Sequence, residues 1–478
     1  MVFSSALFIF YFLPLFLAGY FVTPRRWRNV YTAAASVIFY AWGAPNFLLI
    51  FLASCLVDYL IVRQLAPEAE PSRRKTLLVL STLLNVGLLL YCKYSNFFVE
   101  QLSLLAAALG LSAPHWTKVV LPIGISFFTF HKISYVVDVF RRKSEPTSSF
   151  AEYMLYITFF PQLIAGPIVR YHEIDQQIRH RQVSFDGLAE GVWRFTLGLA
   201  SKLLIADPLG TVADHIFKLN PANVSTGYTW LGTVTYTFQI YFDFAGYSSM
   251  AIGLALLVGF RFPENFNRPY VAESVTDFWR RWHMSLSRWM RDYLYIPLGG
   301  NRVGPVRQAT NLWIVFLLSG LWHGANWTFV CWGAFHGAFL AFERSRLAPL
   351  FFRLPALLRR GVTFFAVTLG WVLFRSETLP EALARWSRLF GFGPAPKATA
   401  ALARATVISD VGITVLAVAA VWCVLIEPLL EALQHNETER TPLFQRVPAL
   451  YPLALAIFLL SILALEAGQY SPFIYFQF

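Results

Sequence analysis

Charge is scarce in this chain of 478 residues: only 14% is Asp, Glu, Lys or Arg, against about 25% in an ordinary soluble domain. With 56% hydrophobic and 17% aromatic residues beside that deficit, a water-soluble globular class is excluded. Cysteine is equally sparse. Cys55, Cys92, Cys331 and Cys423 are scattered without a C-x-x-C, which argues against a disulfide framework or a thiolate metal site, and they read as small hydrophobes. H-E-x-x-H is missing, so no metal ligand set is expected. Neither G-x-x-x-x-G-K-S/T nor G-x-S-x-G occurs, which leaves a nucleoside-triphosphate loop and a serine-hydrolase elbow unsupported. The first apolar run, Ala6 to Val22, lacks a basic leader and a small-residue cleavage site, so it is expected to be a retained span. Acidic residues number 27 against 39 basic ones, for a net charge of +12. The basic residues cluster between apolar runs, so the excess sets membrane orientation and does not call for nucleic acid.

What is abundant is apolar sequence. Runs at 6–22, 30–43, 45–63, 76–97, 118–140, 151–168, 188–205, 228–260, 309–342, 361–375, 408–429 and 447–466 predict an all-α polytopic membrane protein. About 10–12 transmembrane helices are expected, with re-entrant and interfacial helices besides. Basic clusters at Arg25–Arg28, Arg73–Lys75 and Arg141–Lys143 fit the cytoplasmic side if the N-terminus lies outside. Phe160-Pro-Gln-Leu-Ile-Ala-Gly-Pro167 predicts that 151–168 is re-entrant or kinked. A break is also expected in 228–260 around Asp243 to Tyr247. The run 309–342 is too long for one span and is expected to fold back near His323 and Gly324. Lys132 and Asp138 read as a pair lining a cavity. Segment 391–406, with two glycines and two prolines, reads as an exposed loop. The domain reading is a single membrane domain over 1–478 with a polar cytoplasmic-side insertion at 261–307.

Two histidines stand out. The insertion carries eight arginines and contains Asp277-Phe-Trp-Arg-Arg-Trp-His-Met-Ser-Leu-Ser-Arg-Trp-Met-Arg-Asp292. Without glycine or proline, 277–293 is expected to be one helix, with Trp279, His283 and Ser287 on one face. Interleaved tryptophan and arginine suit a membrane surface, so an amphipathic anchor is an equally good reading by itself. His323, in Leu321-Trp-His-Gly-Ala-Asn326, sits in an apolar run where the imidazolium is disfavoured, which makes it a candidate base. Asn326 lies three residues on, placed to orient it or to donate to an oxyanion. A histidine merely satisfied by hydrogen bonds between helices is the competing account. His131 and His336 are read that way.

The chain resembles the membrane-bound O-acyltransferase family, in particular its bacterial alginate O-acetylation branch. The resemblance is carried by Leu121-Pro-Ile-Gly-Ile-Ser-Phe-Phe-Thr-Phe130, Phe159 to Tyr171, Tyr241 to Ala255, Asp277 to Arg302, Trp322-His-Gly-Ala-Asn-Trp-Thr328, Gly370 to Arg375 and Pro472 to Phe478. Ala245 and Ser249 depart from the expected Ser and Asp. The resemblance implies helices around a central funnel or tunnel, with His323 as the family histidine and His283 as the second motif position. It also implies acetyl transfer from a cytoplasmic donor, acetyl-CoA, towards hydroxyls of an exported polysaccharide such as alginate, with no bound cofactor. A periplasmic acetyltransferase or acetyl-carrier protein is the implied partner, and the bacterial inner membrane the implied location. His323 would act as base or acyl relay and His283 as its catalytic partner. Asn326, Trp322, Asp277, Arg280, Arg281, Trp282, Ser287 and Arg288 are the candidate substrate-binding residues, the arginines (with Arg291) by pairing with the phosphates of CoA. Alternatives are an acyltransferase to a protein or teichoic-acid acceptor, a transporter, or a scaffold for a periplasmic acetyltransferase.

Overall fold

Backbone N–H and C=O groups find no water in hydrocarbon, so an apolar run that crosses a bilayer must satisfy them within itself. The computed structural model, which describes residues 2–65, 69–393, 410–429, 450–468 and 473–474, accordingly has helices and, among the described residues, no strand. Six helical stretches are long and apolar enough to cross a membrane: Pro45–Val62, Pro71–Ala108, Phe185–Lys218, Thr226–Leu257, Ala356–Arg375 and Val411–Leu429. Phe8–Val22, Trp327–Phe342 and Tyr451–Ala467 are shorter apolar helices. The protein is an all-α polytopic membrane protein. Side chains such as Leu49 and Leu357, each 79% exposed, suit lipid on the outer surface and not water.

Two compact units make up the chain: Met1–Val192 with Ala251–Pro263, and Trp193–Met250 with Glu264–Phe478. The first contains α1 (Leu13–Val22), α2 (Arg28–Gly43), α3 (Leu48–Val62), α4 (Pro71–Leu89), α5 (Ser95–Ala108), α6 (Ile125–Phe140), α7 (Phe150–Thr158), α8 (Phe160–Leu163) and α9 (Tyr171–His180). Its core is aromatic: the Phe160 ring meets those of Phe3, Phe8, Phe12, Phe16 and Phe39 at 5.0–6.2 Å. The buried Asp58 carboxylate accepts from Ser81, Asn85 and Tyr153, three donors that offset the cost of burying it. Segment 151–168 is kinked as expected. Helix ends at Thr158, resumes for a single turn as α8, and 165–170 is non-helical. Lys132 and Asp138 take different partners, which corrects the pair read from the sequence. Lys132 donates to Ser54 at 2.8 Å, while Asp138 Oδ2 lies 2.8 Å from His172 Nδ1. Both sit on α6 six residues apart, more than one helical turn and too far to share a face closely.

Elements α10 (Phe185–Ala200), α11 (Asp207–Lys218) and α12 (Thr226–Leu257) follow. The break expected around Asp243 to Tyr247 is not there: α12 runs unbroken for 32 residues. Gly246 is a packing glycine. A Cβ at this position would come within 2.7 Å of the Gly198 carbonyl oxygen, so glycine lets α10 and α12 touch backbone to backbone. Asp243 is likewise no break. It pairs with Lys202 at 2.8 Å, which also holds Asp207 at 2.7 Å, and its second oxygen accepts from the Ile474 N–H.

The second unit continues with α13 (Val275–Arg281), α14 (Met284–Met290), α15 (Pro305–His323), α16 (Trp327–Phe342), α17 (Ala348–Phe352), α18 (Ala356–Arg375), α19 (Leu379–Leu389), α20 (Asp410–Val421) and α21 (Leu450–Ala467). The run 309–342 folds back where expected, at His323–Asn326. The two arms of that hairpin meet through glycines: a Cβ on Gly320 would lie 2.2 Å from the Phe329 carbonyl oxygen, and one on Gly333 2.3 Å from that of Phe316. Of the loop expected at 391–406, residues 394–406 lie outside the described residues.

Candidate active site

His323 is the last residue of α15. Its ring meets Trp322 at 4.9 Å, Trp332 at 5.1 Å and Phe374 at 5.1 Å, and the residue is 5% exposed. The close approach of α15 and α16 through Gly320 and Gly333 puts Trp332 against it. An imidazole walled by aromatic rings loses most of the solvation a cation needs.

His283 is placed by a different device. The helix expected over 277–293 is two helices, α13 and α14, and His283 is the joint between them with φ +42° and ψ 52°. Left-handed backbone costs a non-glycine residue about 1–2 kcal/mol, so something must hold it there. Segment 265–267 does so: Met284 N donates to Asn265 O at 2.9 Å and Asn267 N to Arg281 O at 2.9 Å. Trp279, His283 and Ser287 therefore do not share one helical face, although Ser287 still donates to the Trp279 carbonyl. Glycine- and proline-free sequence permitted a helix; tertiary hydrogen bonds interrupted it.

Asn265 then fixes the imidazole. Its Oδ1 accepts from Ser285 N at 3.2 Å and Ser285 Oγ at 2.8 Å, and lies 3.0 Å from His283 Nδ1. A backbone N–H can only donate, so the atom facing it is the amide oxygen, and Nδ1 of a neutral His283 carries the hydrogen. Nε2 keeps the lone pair. Burial, with Arg288 adding to it, pushes the His283 imidazolium down to about 3, so the ring is neutral at physiological pH. Asn265 Nδ2 in turn donates to Ser248 at 3.0 Å. Strained backbone held by a closed polar network is a mark of functional positions.

The two histidines both contact one indole. His283 meets the Trp322 ring at 6.1 Å and His323 meets it at 4.9 Å. Phe244 also meets the His283 ring, at 4.7 Å. The remaining expected residues divide. Trp282 is buried in an aromatic core against Phe266 and Trp371. Asn326 caps α16 by accepting from Thr328 N and donates to the Glu377 carbonyl; its side chain is engaged there and not with His323. Arg288 donates to the Glu264 carbonyl, and Arg291 pairs with Asp292. Asp277, Arg280 and Arg281 line a pocket of about 380 Å³ together with Glu273, Arg359 and Arg360. No group of three or more His, Cys, Asp or Glu suited to a metal occurs among the described residues.

Reading the sequence alone missed Asn265, Ser248, Ser285, Phe244, Trp332 and Phe374 around the histidines, and Glu273, Arg359 and Arg360 at the pocket. Asn265 is eighteen residues before its histidine, at no helical or strand spacing, and carried no signal. The adjacent arginines at 359 and 360, opening an apolar run, were a visible sign of the pocket beside Asp277, Arg280 and Arg281.

The fold is that of a polytopic helical membrane protein, and it buries His283 and His323 against one tryptophan. The chain belongs to the membrane-bound O-acyltransferase family, whose sequence model matches residues 47–375. It is similar to the probable alginate O-acetylase AlgI of Azotobacter vinelandii, at 41% identity over the full length of both chains. The probable alginate O-acetylase AlgI of Pseudomonas aeruginosa is 45% identical over 82% of this chain and 75% of its own. The peptidoglycan O-acetyltransferase of Helicobacter pylori is 36% identical over 80% of this chain and 78% of its own. The protein is an O-acyltransferase.

Proposed function

We propose that this O-acyltransferase moves an acetyl group from a cytoplasmic thioester donor, acetyl-CoA, towards hydroxyls of an exported polysaccharide across the bacterial inner membrane, as one helical membrane domain around a central passage. The observation that carries the reading is that buried His283 and His323 both lie against the Trp322 ring. The names of its relatives support acetyl as the transferred group and a cell-envelope polysaccharide as acceptor, alginate in two cases and peptidoglycan in the third.

In this reading His323 is the reacting base. It takes the proton of the accepting hydroxyl as that oxygen attacks the thioester carbonyl; the C–S bond breaks and the departing thiolate takes the proton from the imidazolium. Alternatively the imidazole nitrogen itself attacks the carbonyl, the C–S bond breaks, and the hydroxyl then displaces the acyl group from nitrogen. His283, held neutral with Nδ1–H on Asn265, offers Nε2 as an acceptor that orients a hydroxyl or shuttles its proton. The aromatic walls exclude water that would otherwise hydrolyse the thioester. A periplasmic acetyltransferase or acetyl carrier completes delivery.

Reconstituted full-length protein supplied with radiolabelled acetyl-CoA tests this, with and without a periplasmic fraction. His323→Gln is expected to slow CoA release by about 10²–10⁴-fold. Equal rates for wild type and His323→Gln would end the mechanism.

A further inference from the structure

The basic cluster Arg25–Arg28 gains a member that the sequence does not place with it. Arg181, in the non-helical stretch between α9 and α10, lies against the junction of α1 and α2. Its Nε donates to Tyr20 Oη at 3.3 Å and to the Val258 carbonyl at 3.2 Å. Its Nη1 donates to Asn29 Oδ1 at 2.5 Å and to the Ile178 carbonyl at 3.3 Å. Arg28 donates through Nε to the Thr23 carbonyl at 3.2 Å. Every one of these acceptors is neutral. Both guanidinium groups also converge on one phenol: Arg28 lies 4.8 Å from the centre of the Tyr20 ring and Arg181 5.9 Å, while Arg181 sits over Phe260 at 4.4 Å. Attraction to the rings offsets part of the cost of two neighbouring cations. Burial nevertheless lowers the pKa of Arg181, and the Arg28 charge adds to that against the opposing pull of Tyr20. Among the described residues, Arg181 Nη2 and both Nη groups of Arg28 have no acceptor. Two positive charges with outward donors therefore meet at one place without a carboxylate between them, an arrangement that an oxyanion would complete.

Depth in the bilayer selects the ligand. The apolar helix Phe8–Val22 ends just before Arg25. Val22 and Trp27 are 84% and 53% exposed: one is an aliphatic side chain suited to lipid, the other a tryptophan of the kind that sits at headgroup level. Phosphate is the anion available there, and guanidinium groups take its oxygens through paired N–H donors. Charge then separates the lipid classes. Phosphatidylglycerol brings a net negative charge to the pair. Phosphatidylcholine brings an ammonium beside its phosphate, which the exposed Arg25 and Arg26 repel.

We propose that Arg28 and Arg181 together hold the headgroup phosphate of an anionic phospholipid, with Arg25 and Arg26 disfavouring zwitterionic headgroups and the acyl chains lying along the exposed Leu15, Phe21 and Val22 of α1. The lipid then ties the start of α2 to the segment that follows α9, two parts of the chain joined otherwise by the bonds of Asn29 and Tyr20.

The test uses the full chain in detergent micelles, titrated with phosphatidylglycerol, phosphatidylcholine or inorganic phosphate. Occupancy is read by native mass spectrometry and stability by thermal unfolding. Wild type is expected to bind phosphatidylglycerol about tenfold or more tightly than phosphatidylcholine, and its Tm should rise as the anionic lipid is added. Arg28→Gln and Arg181→Gln should each weaken phosphatidylglycerol binding by about tenfold, the size of a lost charged hydrogen bond, and flatten the rise in Tm. Arg63→Gln is the control, since Arg63 is an exposed arginine at the end of α3 and its loss changes the net charge equally. Arg28 gives up one carbonyl hydrogen bond, so its variant remains informative if Arg181→Gln does not fold. Equal binding of the two lipids by wild type overturns the proposal, as does unchanged binding in Arg28→Gln. A loss in Arg63→Gln as large as that in Arg28→Gln also overturns it, by showing diffuse surface attraction in place of a site. Inorganic phosphate that displaces phosphatidylglycerol and raises Tm equally would make this a site for a soluble phosphate and end the lipid assignment.

Discussion

The amide oxygen of Asn265 lies 3.0 Å from Nδ1 of His283 while also accepting from both the N–H and the hydroxyl of Ser285. One side chain thereby sets the tautomer of the histidine and holds the left-handed joint on which that histidine sits. Asn265→Ala removes the acceptor from three donors, and each buried unpaired donor costs about 1–3 kcal/mol. The variant should melt lower and lose acetyl transfer to the extent His283→Ala does, measured by thermal unfolding and CoA release.

The burial of His283, with Arg288 nearby, makes a prediction about pH. With the folded imidazolium pushed down to about 3 from an ordinary 6.5, the unfolded chain binds the extra proton first as pH falls. His283 therefore contributes its full stabilisation above about 6.5, and loses it progressively as pH drops towards about 3. Wild-type turnover should show no His283 limb between about pH 5 and 8. Asn265→Asp sets a carboxylate beside Nδ1, raises the imidazolium towards neutrality, and should bring such a limb into the pH–rate profile.

Trp322 is the shared wall of both histidines, and removing it opens a cavity next to each. Trp322→Ala should cost about 3–5 kcal/mol, as large aromatic truncations in cores do. Trp322→Phe keeps an aromatic wall, and should fold while turning over more slowly. Paired melting curves and initial rates separate the two effects.

Gly320 places His323 by letting α15 and α16 touch. A methyl group there would stand 2.2 Å from the Phe329 carbonyl, so Gly320→Ala must push the helices apart. It should destabilise by about 1–3 kcal/mol and depress activity through His323, three residues away. Nothing lies within 4 Å of a Cβ at Gly304, so Gly304→Ala is the control, expected within about 0.5 kcal/mol of wild type. Size-exclusion profiles after a temperature ramp would read both.

Hydrogen bonding from Arg359, opposed by burial but reinforced by the charge of Arg359 and by Arg360, holds the Glu273 carboxyl below its usual 4.5. A depressed carboxyl stabilises the fold above its unfolded value and gives that up as pH falls through the folded one. Glu273→Gln should therefore narrow the stability difference between neutral and acid pH, seen as a smaller drop in melting temperature on acidification.

Legibility in the sequence followed the range of the interactions. The hairpin at His323 was readable because Gly324 and the excessive length of 309–342 are local features. The kink in 151–168 was readable because proline acts on its own backbone. The continuity of α12 was not, because Gly246 and Asp243 look like breakers until Gly198 and Lys202 are brought against them. The joint at His283 was hidden for the opposite reason: its own sequence favours helix, and Asn265 overrules it from eighteen residues away.

What the sequence by itself determined was the class of molecule and the family to which it belongs. Apolar runs of bilayer length force helices, since the backbone has no other partner in hydrocarbon, and isolated ionisable groups among them mark function. Tertiary structure decided which of those residues meet. The meeting of His283 and His323 at Trp322, and the gathering of Arg280 and Arg281 with Arg359 and Arg360, join segments forty and about eighty residues apart. Such contacts depend on helix packing, which no local periodicity encodes.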